Sequence, residues 1–233
     1  GLDEAIEQWD GLVGAIVTVD GLVDYNRLRE SAQRETLERV VASLGEAEPP
    51  SGDDARLAML INAYNANVLK RVLETWEGGS DYSVSQVPGF FDERPVRVAG
   101  QILTLDRLVN NRVRPFNDPR IHAALAGGAM SSPPLRSGAY RAAGLSMQLD
   151  DQSRRWVNDP AQFYVEDDAL YASEIMKWYG EDFQRPPFSG VLGFISAYAD
   201  PGGAASRHIL LNDNVDLRWA PFDWSLNIGD VME

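Results

Sequence analysis

The chain has 233 residues, 44% apolar and 24% charged, so it can bury about 70% of its surface and is not disordered, collagen-like or a coiled coil. Lys and Arg number 21 against 35 Asp and Glu, and the resulting charge of −14 repels phosphate backbones and anionic membrane surfaces, which argues against nucleic acid as a partner. The chain holds no cysteine, which excludes disulfides, thiolate metal sites and a thiol nucleophile, and no apolar run approaches the roughly 18 to 20 residues of a membrane span.

Ala5, Ile6, Trp9, Leu12, Val13 and Ile16 recur at helical spacing and predict an amphipathic helix over residues 4–16. A helical pair comes next over 25–28 and 36–44, closed by Gly45 and the Glu48-Pro49-Pro50 breaker. The clearest helix runs over 53–76, with Ser51 or Asp53 as its cap, an apolar stripe through Leu57, Ile61, Tyr64, Val68 and Val72, and Gly78-Gly79 as its stop. Residues 95–103 alternate around Gly100 as a hairpin, and Thr104 caps a helix to about 113. Asp118-Pro119 opens a short helix carrying His122, and 146–157 is another capped helix. Residues 163–165 and 170–172 form a second hairpin about the Glu166-Asp167-Asp168 turn, Ser173 caps a short helix to 179, and 188–198 is the last helix. From His208 onward one or two extended segments are expected. With no repeat and no rich linker, the whole of 1–233 reads as one helix-rich α+β domain with small two-stranded β elements.

Any general-base argument starts from the histidines, whose ordinary titration lies near neutrality. His122 stands ten residues before Ser132, and a glycine-rich connection could fold the serine hydroxyl onto the imidazole. The plain alternative is a structural histidine bonded to a buried carbonyl. Ser132 before Pro133 fits a helix N-cap, whose free N–H groups could equally face an anion. No Gly-x-Ser-x-Gly elbow surrounds it. Asn62 and Asn65 share one helix face beside Tyr64, either as a core network holding a loop or orienting His122 or a substrate. Asp223, between Phe222 and Trp224, could fix a histidine tautomer or cap the final turn. Asp213, Asn214 and Asp216 lack calcium-loop spacing, the acid pairs at 53–54, 150–151 and 167–168 read as solvated helix starts and a turn, and no phosphate loop or dinucleotide fingerprint occurs. Neither a metal nor a cofactor is therefore expected.

Several separated segments together carry a family pattern: Val23-Asp24-Tyr25 with Leu28, Leu60-Ile61-Asn62-Ala63-Tyr64-Asn65-Ala66, Asp118-Pro119-Arg120-Ile121-His122 with Leu125, Ser131-Ser132-Pro133-Pro134-Leu135-Arg136, Ser173 with Lys177-Trp178-Tyr179 and Asp182-Phe183, and Asp223-Trp224-Ser225-Leu226-Asn227. In this order, over 23–227, the chain resembles the domain-of-unknown-function 547 family. The resemblance brings no firmly attached activity. It implies that relatives often carry cysteine where Ser132 and Gly127 stand here, so a thiolate mechanism is closed to this chain and a serine would be a far weaker nucleophile. Bacterial relatives often look exported; a start at Gly1 agrees with a periplasmic or extracellular address without establishing it.

Two functions are compatible with these residues. The first is a binding domain with a polar pocket around His122 for a small molecule or peptide, lined by Asn62, Tyr64, Asn65, Ser131, Lys177 and Asn227. The second is a hydrolase or transferase with His122 as base, Ser132 as nucleophile or oxyanion neighbour, and Asp223 orienting. The missing cysteine favours binding, and both readings expect these dispersed residues to meet.

Overall fold

A computed structural model describes residues 1–232. The first apolar stripe forms helix α1 (Leu2–Ile16), which buries Trp9, Leu12, Val13 and Ile16. Helix α2 (Tyr25–Leu28) begins at Asp24, whose carboxylate accepts the Arg27 N–H, and α3 (Ser31–Glu46) packs back on α1. The long helix is α4 (Asp53–Thr75). Neither Ser51 nor Asp53 caps it: Gly52 holds the N-cap position without a side-chain bond, and Asp53 pairs with Arg56 instead.

α4 is buried nearly all round, the condition of a central helix. Its buried polar residues consequently reach outward to fasten loops. Asn62 donates to the Tyr140 carbonyl (2.8 Å) and accepts the Tyr140 N–H (2.9 Å). Asn65 donates to the Ala124 carbonyl (3.0 Å) and accepts the Ala126 N–H (2.9 Å). Arg71 donates to the carbonyls of Phe90, Arg94 and Pro95.

Strands β1 (Pro95–Val98) and β2 (Gln101–Thr104) pair antiparallel as expected. Both turn residues, Ala99 and Gly100, take positive φ, and their N–H groups cap the last carbonyls of α3 at Leu44 and Gly45. Thr104 caps α5 (Leu105–Leu108), but the rest of the expected helix rewinds into a π turn (Val109–Val113) and a 3₁₀ turn ended by Asn117 in the left-handed region. Asp118 accepts the Arg120 N–H ahead of α6 (Ile121–Ala124). Helix α7 (Leu145–Val157) starts after Gly144 rather than at a Ser146 cap; the Ser146 hydroxyl accepts from Arg120. Asp150 is likewise no solvated helix start: it accepts from Arg120 (3.0 Å) and the Tyr198 hydroxyl (2.6 Å).

Strands β3 (Tyr164–Glu166) and β4 (Ala169–Ser173) form the second hairpin, and Ser173 caps α8 (Glu174–Trp178). Helix α9 (Val191–Tyr198) begins at Gly190, later than the expected 188. Two findings correct the reading of the tail. Residues expected to be extended from His208 belong to helix α10 (Ala204–Leu211), and β5 (Leu217–Ala220) joins β4 in parallel, so the second sheet has three strands in the order β3-β4-β5 instead of two.

The result is a helix-rich α+β fold with two apolar clusters, one around α1, α3 and α4, the other around α7, α8, α9 and the three-stranded sheet. Helix α6 sits between them: Ile121 and Ala124 enter the first cluster and Ala123 the second. Burial on both sides fixes the rotation of this short helix and hence the direction of His122.

Candidate functional site

A cavity of about 470 Å³ opens beside α6. Its walls come from the loop that Arg71 fastens (Phe90, Phe91, Asp92), from Asp106 on α5, Tyr64 on α4, His122 on α6, Trp178 at the end of α8, and Trp224 in the tail. The tail reaches the cavity because it pairs with the 128–131 loop. Met130 N–H donates to the Ser225 carbonyl (2.7 Å), Asn227 N–H to that of Gly128 (3.1 Å), and Ala129 bridges Leu226 antiparallel.

His122 is only 3% exposed. Its ring stacks on Tyr179 with centroids 4.4 Å apart, and its Nε2 lies 2.8 Å from Asp182 Oδ2. Asp182 is held in turn by Arg114 through Nε (2.8 Å) and Nη2 (2.9 Å), a two-pronged guanidinium–carboxylate pair. Burial alone would push the Asp182 carboxyl up, but hydrogen bonds from His122 and Arg114 and the charge of both outweigh it and hold the group well below the usual carboxylate range. Burial pushes His122 down, against the raising effect of Asp182 and with a further lowering from Arg114. The pair therefore stands at neutral pH as an ionised carboxylate and a neutral imidazole. A carboxylate can only accept, so Nε2 carries the ring hydrogen and Nδ1 keeps its lone pair. Nδ1 makes no hydrogen bond to another described residue and is not sealed from solvent.

Tyr64 also lines the cavity, 7% exposed, and its hydroxyl likewise makes no hydrogen bond to another described residue and is not sealed from solvent. Burial first, then the nearby Tyr179 and Asp106, push its pKa up, so it remains a neutral hydroxyl. A Cβ built on Gly127 would lie 3.7 Å from that hydroxyl and 3.5 Å from Ser132 Oγ, which places Gly127 at the floor between them.

Ser132 lines the same cavity, but it is not the N-cap expected of a Ser-Pro pair, since no helix begins between it and α7. Its Oγ accepts the N–H groups of Gly127 (3.2 Å) and Ala129 (3.1 Å) and so closes its own loop backward. No hydrogen bond joins it to His122. Asp223 does not orient the imidazole either; Asp182 has that place. The Asp223 carboxylate accepts from the Ser225 N–H (3.0 Å) and hydroxyl (2.6 Å) in an exposed turn. Ser131 Oγ accepts the Asp223 N–H (2.8 Å) and ties the two segments together outside the cavity.

Of the remaining residues singled out in the sequence, Asn62 and Asn65 bind loop backbone and do not reach the cavity. Lys177 is exposed on α8, apart from the wall to which its neighbour Trp178 belongs. Asn227 accepts the Tyr25 hydroxyl (2.6 Å) and borders a second cavity, of about 490 Å³, that also touches Ser132. Sequence reasoning missed the role of Asp182 and the wall formed by Asp92, Asp106, Trp178 and Trp224. Asp182 and both tryptophans stand within the segments that carry the family pattern, which was their one signal; Asp92 and Asp106 had none. Among the described residues no cluster of His, Asp and Glu has the geometry to hold a metal ion.

Residues 50–157 match the family described as "Protein of unknown function, DUF547". This stretch belongs to that family. It holds Tyr64, Asp92, Asp106, His122 and Ser132, whereas Trp178, Asp182 and Trp224 lie beyond it. The chain finds no match among curated proteins or among solved structures. No helix among the described residues is long and apolar enough to cross a membrane.

Proposed function

We propose that the DUF547 stretch and its C-terminal continuation form a binding domain that takes a small molecule or a peptide side chain into the cavity beside His122. The observation that carries this reading is the pairing of a mainly apolar cavity of about 470 Å³ with two polar atoms on its wall, His122 Nδ1 and the Tyr64 hydroxyl, that make no hydrogen bond to another described residue. An apolar cleft with a few convergent polar groups is the usual form of a small-molecule site, and polar atoms that meet only solvent can exchange it for a ligand's polar atoms.

Hydrolase or transferase chemistry is the second reading, favoured by the Asp182–His122 hydrogen bond, which fixes the tautomer as a general base requires. Against it, Ser132 Oγ is engaged by two backbone N–H groups and makes no hydrogen bond to the base. Binding is therefore the stronger conclusion.

A thermal-shift screen of metabolites and short peptides tests it. At a hundredfold excess over Kd a ligand stabilises by about 2.7 kcal/mol, or roughly 5–10 °C for a chain of this size. Gly127→Leu, whose Cβ finds only ordinary contacts at 3.5–3.7 Å but whose side chain would fill the floor, is expected to fold and to lose the shift. Flat melting curves across a broad library, or hits that survive Gly127→Leu, would overturn the proposal.

A further inference from the structure

The ligand's chemical class can be argued from the same cavity, and this step rests on the binding reading above. We propose that the cavity selects an organic cation: an ammonium or guanidinium group on an apolar body, seated between the carboxylates of Asp92 and Asp106 and the aromatic wall of Trp178, Phe222 and Trp224.

No lysine or arginine lines the cavity among the described residues, although two carboxylates do. Neither Asp92, which is exposed, nor Asp106, which is half-buried, makes an ion pair or a side-chain hydrogen bond among the described residues. Sheltered acids elsewhere in this molecule differ from Asp106 in this respect. Asp182 holds Arg114, while Asp118 and Asp150 share Arg120. Arg114, whose guanidinium lies over the outer ring of Tyr179, has its charge taken by Asp182 and Glu181. The charge of Asp92 disfavours ionisation of Asp106, and a cation bound beside them offsets that repulsion. Burial, and then the charge of Asp92, already push the Asp106 carboxyl up from its ordinary value.

The unfilled polar groups point to the same class. His122 Nδ1 can only accept, and the Tyr64 oxygen accepts as readily as it donates, so an N–H-bearing cation meets acceptors on several sides. The aromatic side is a packed wall, not an open box. Trp178 and Trp224 lie parallel with centroids 5.9 Å apart, and Phe222 is 4.9 and 4.5 Å from them. The electron-rich face of such a wall attracts a cation laid against it, and Trp178 remains 46% exposed at the mouth. A carboxylate or phosphate ligand would instead add a third negative charge beside the pair. The overall charge of −14 draws cations toward the surface from a distance.

Calorimetric titration of the full chain with 2-phenylethylamine, 2-phenylethanol and 3-phenylpropanoate tests the proposal, because these probes share a ring and differ in charge. The amine is expected to bind at least tenfold more tightly than the alcohol, and the acid most weakly. In Asp92→Asn/Asp106→Asn the amine should fall to the level of the alcohol, whose own affinity stays constant. Should that double variant fail to fold, Asp106→Asn alone and a salt titration of the wild type supply the reading, since only amine affinity should drop with ionic strength. Alcohol or acid binding as tightly as the amine would overturn the choice of a cation while leaving a binding pocket in place. No binding by any probe would also overturn it, and the broad screen with Gly127→Leu then decides the pocket separately.

Discussion

Replacing Asn65 with alanine is expected to destabilise the fold by about 3 kcal/mol. The side chain is 1% exposed and spans two backbone groups of one loop, donating to the Ala124 carbonyl at 3.0 Å and accepting the Ala126 N–H at 2.9 Å. Truncation orphans a buried carbonyl and a buried N–H at about 1–3 kcal/mol each, and the better helix propensity of alanine offsets about 0.6 kcal/mol. Asn67 provides the control on the same helix. It is also buried, but its amide donates to Ala63 (2.8 Å), a carbonyl four residues back that already serves the helix ladder. Asn67→Ala orphans nothing and should cost about 1 kcal/mol or less. Urea denaturation followed by tryptophan fluorescence, at a common slope, separates the two. If Asn65→Ala and Asn67→Ala lose stability equally, the argument that α4 fastens the His122 segment through its amides is wrong.

Asp182→Asn should cost about 2–3 kcal/mol, below the full value for breaking a buried pair because the Arg114 side chain is 22% exposed, and nitrogen NMR should show His122 losing its single tautomer. Stability should also depend on pH through His122. Its folded pKa lies below the ordinary 6.5, so the unfolded chain takes up a proton first; the contribution is complete above about pH 6.5 and is lost as pH falls through and below it, with a slope of up to about 1.4 kcal/mol per pH unit. The depressed Asp182 carboxyl adds its own loss only below its ordinary 3.8. Denaturation midpoints between pH 7 and 5 check this, and a slope unchanged in His122→Gln would refute it. Gly21→Ala places a Cβ 2.4 Å from the Pro134 Cβ at a φ of +79° and should cost about 2–4 kcal/mol, whereas Gly100→Ala, with a φ of +75° but open space, should cost only about 1 kcal/mol.

The helices that bury a stripe were legible from spacing, as α1 and α4 show, because a 3.6-residue period results directly from which face leaves water. Helix α10 buries no residue fully and leaves Leu210 and Leu211 exposed, so no stripe announced it. Strand β5 was unreadable for a different reason: its partner β4 lies more than forty residues earlier, and a parallel pairing has no turn to mark it. Local chemistry misled at Ser132 as well. A serine before proline predicts the cap of a helix starting at that proline, yet Oγ turns back to N–H groups three and five residues earlier.

The amino-acid sequence alone settled what the chain lacks and what its core helices must be: no thiol, an excess of acid, and a central helix dense in apolar residues with three asparagines that burial would oblige to find partners. Which partners they find, and that His122 meets Asp182 sixty residues onward instead of Asp223, belongs to the tertiary structure. Hydrogen-bond demand is written in residue type, but its fulfilment depends on which distant segments packing brings within 3 Å, and in this molecule two apolar clusters closing around one short helix make that choice.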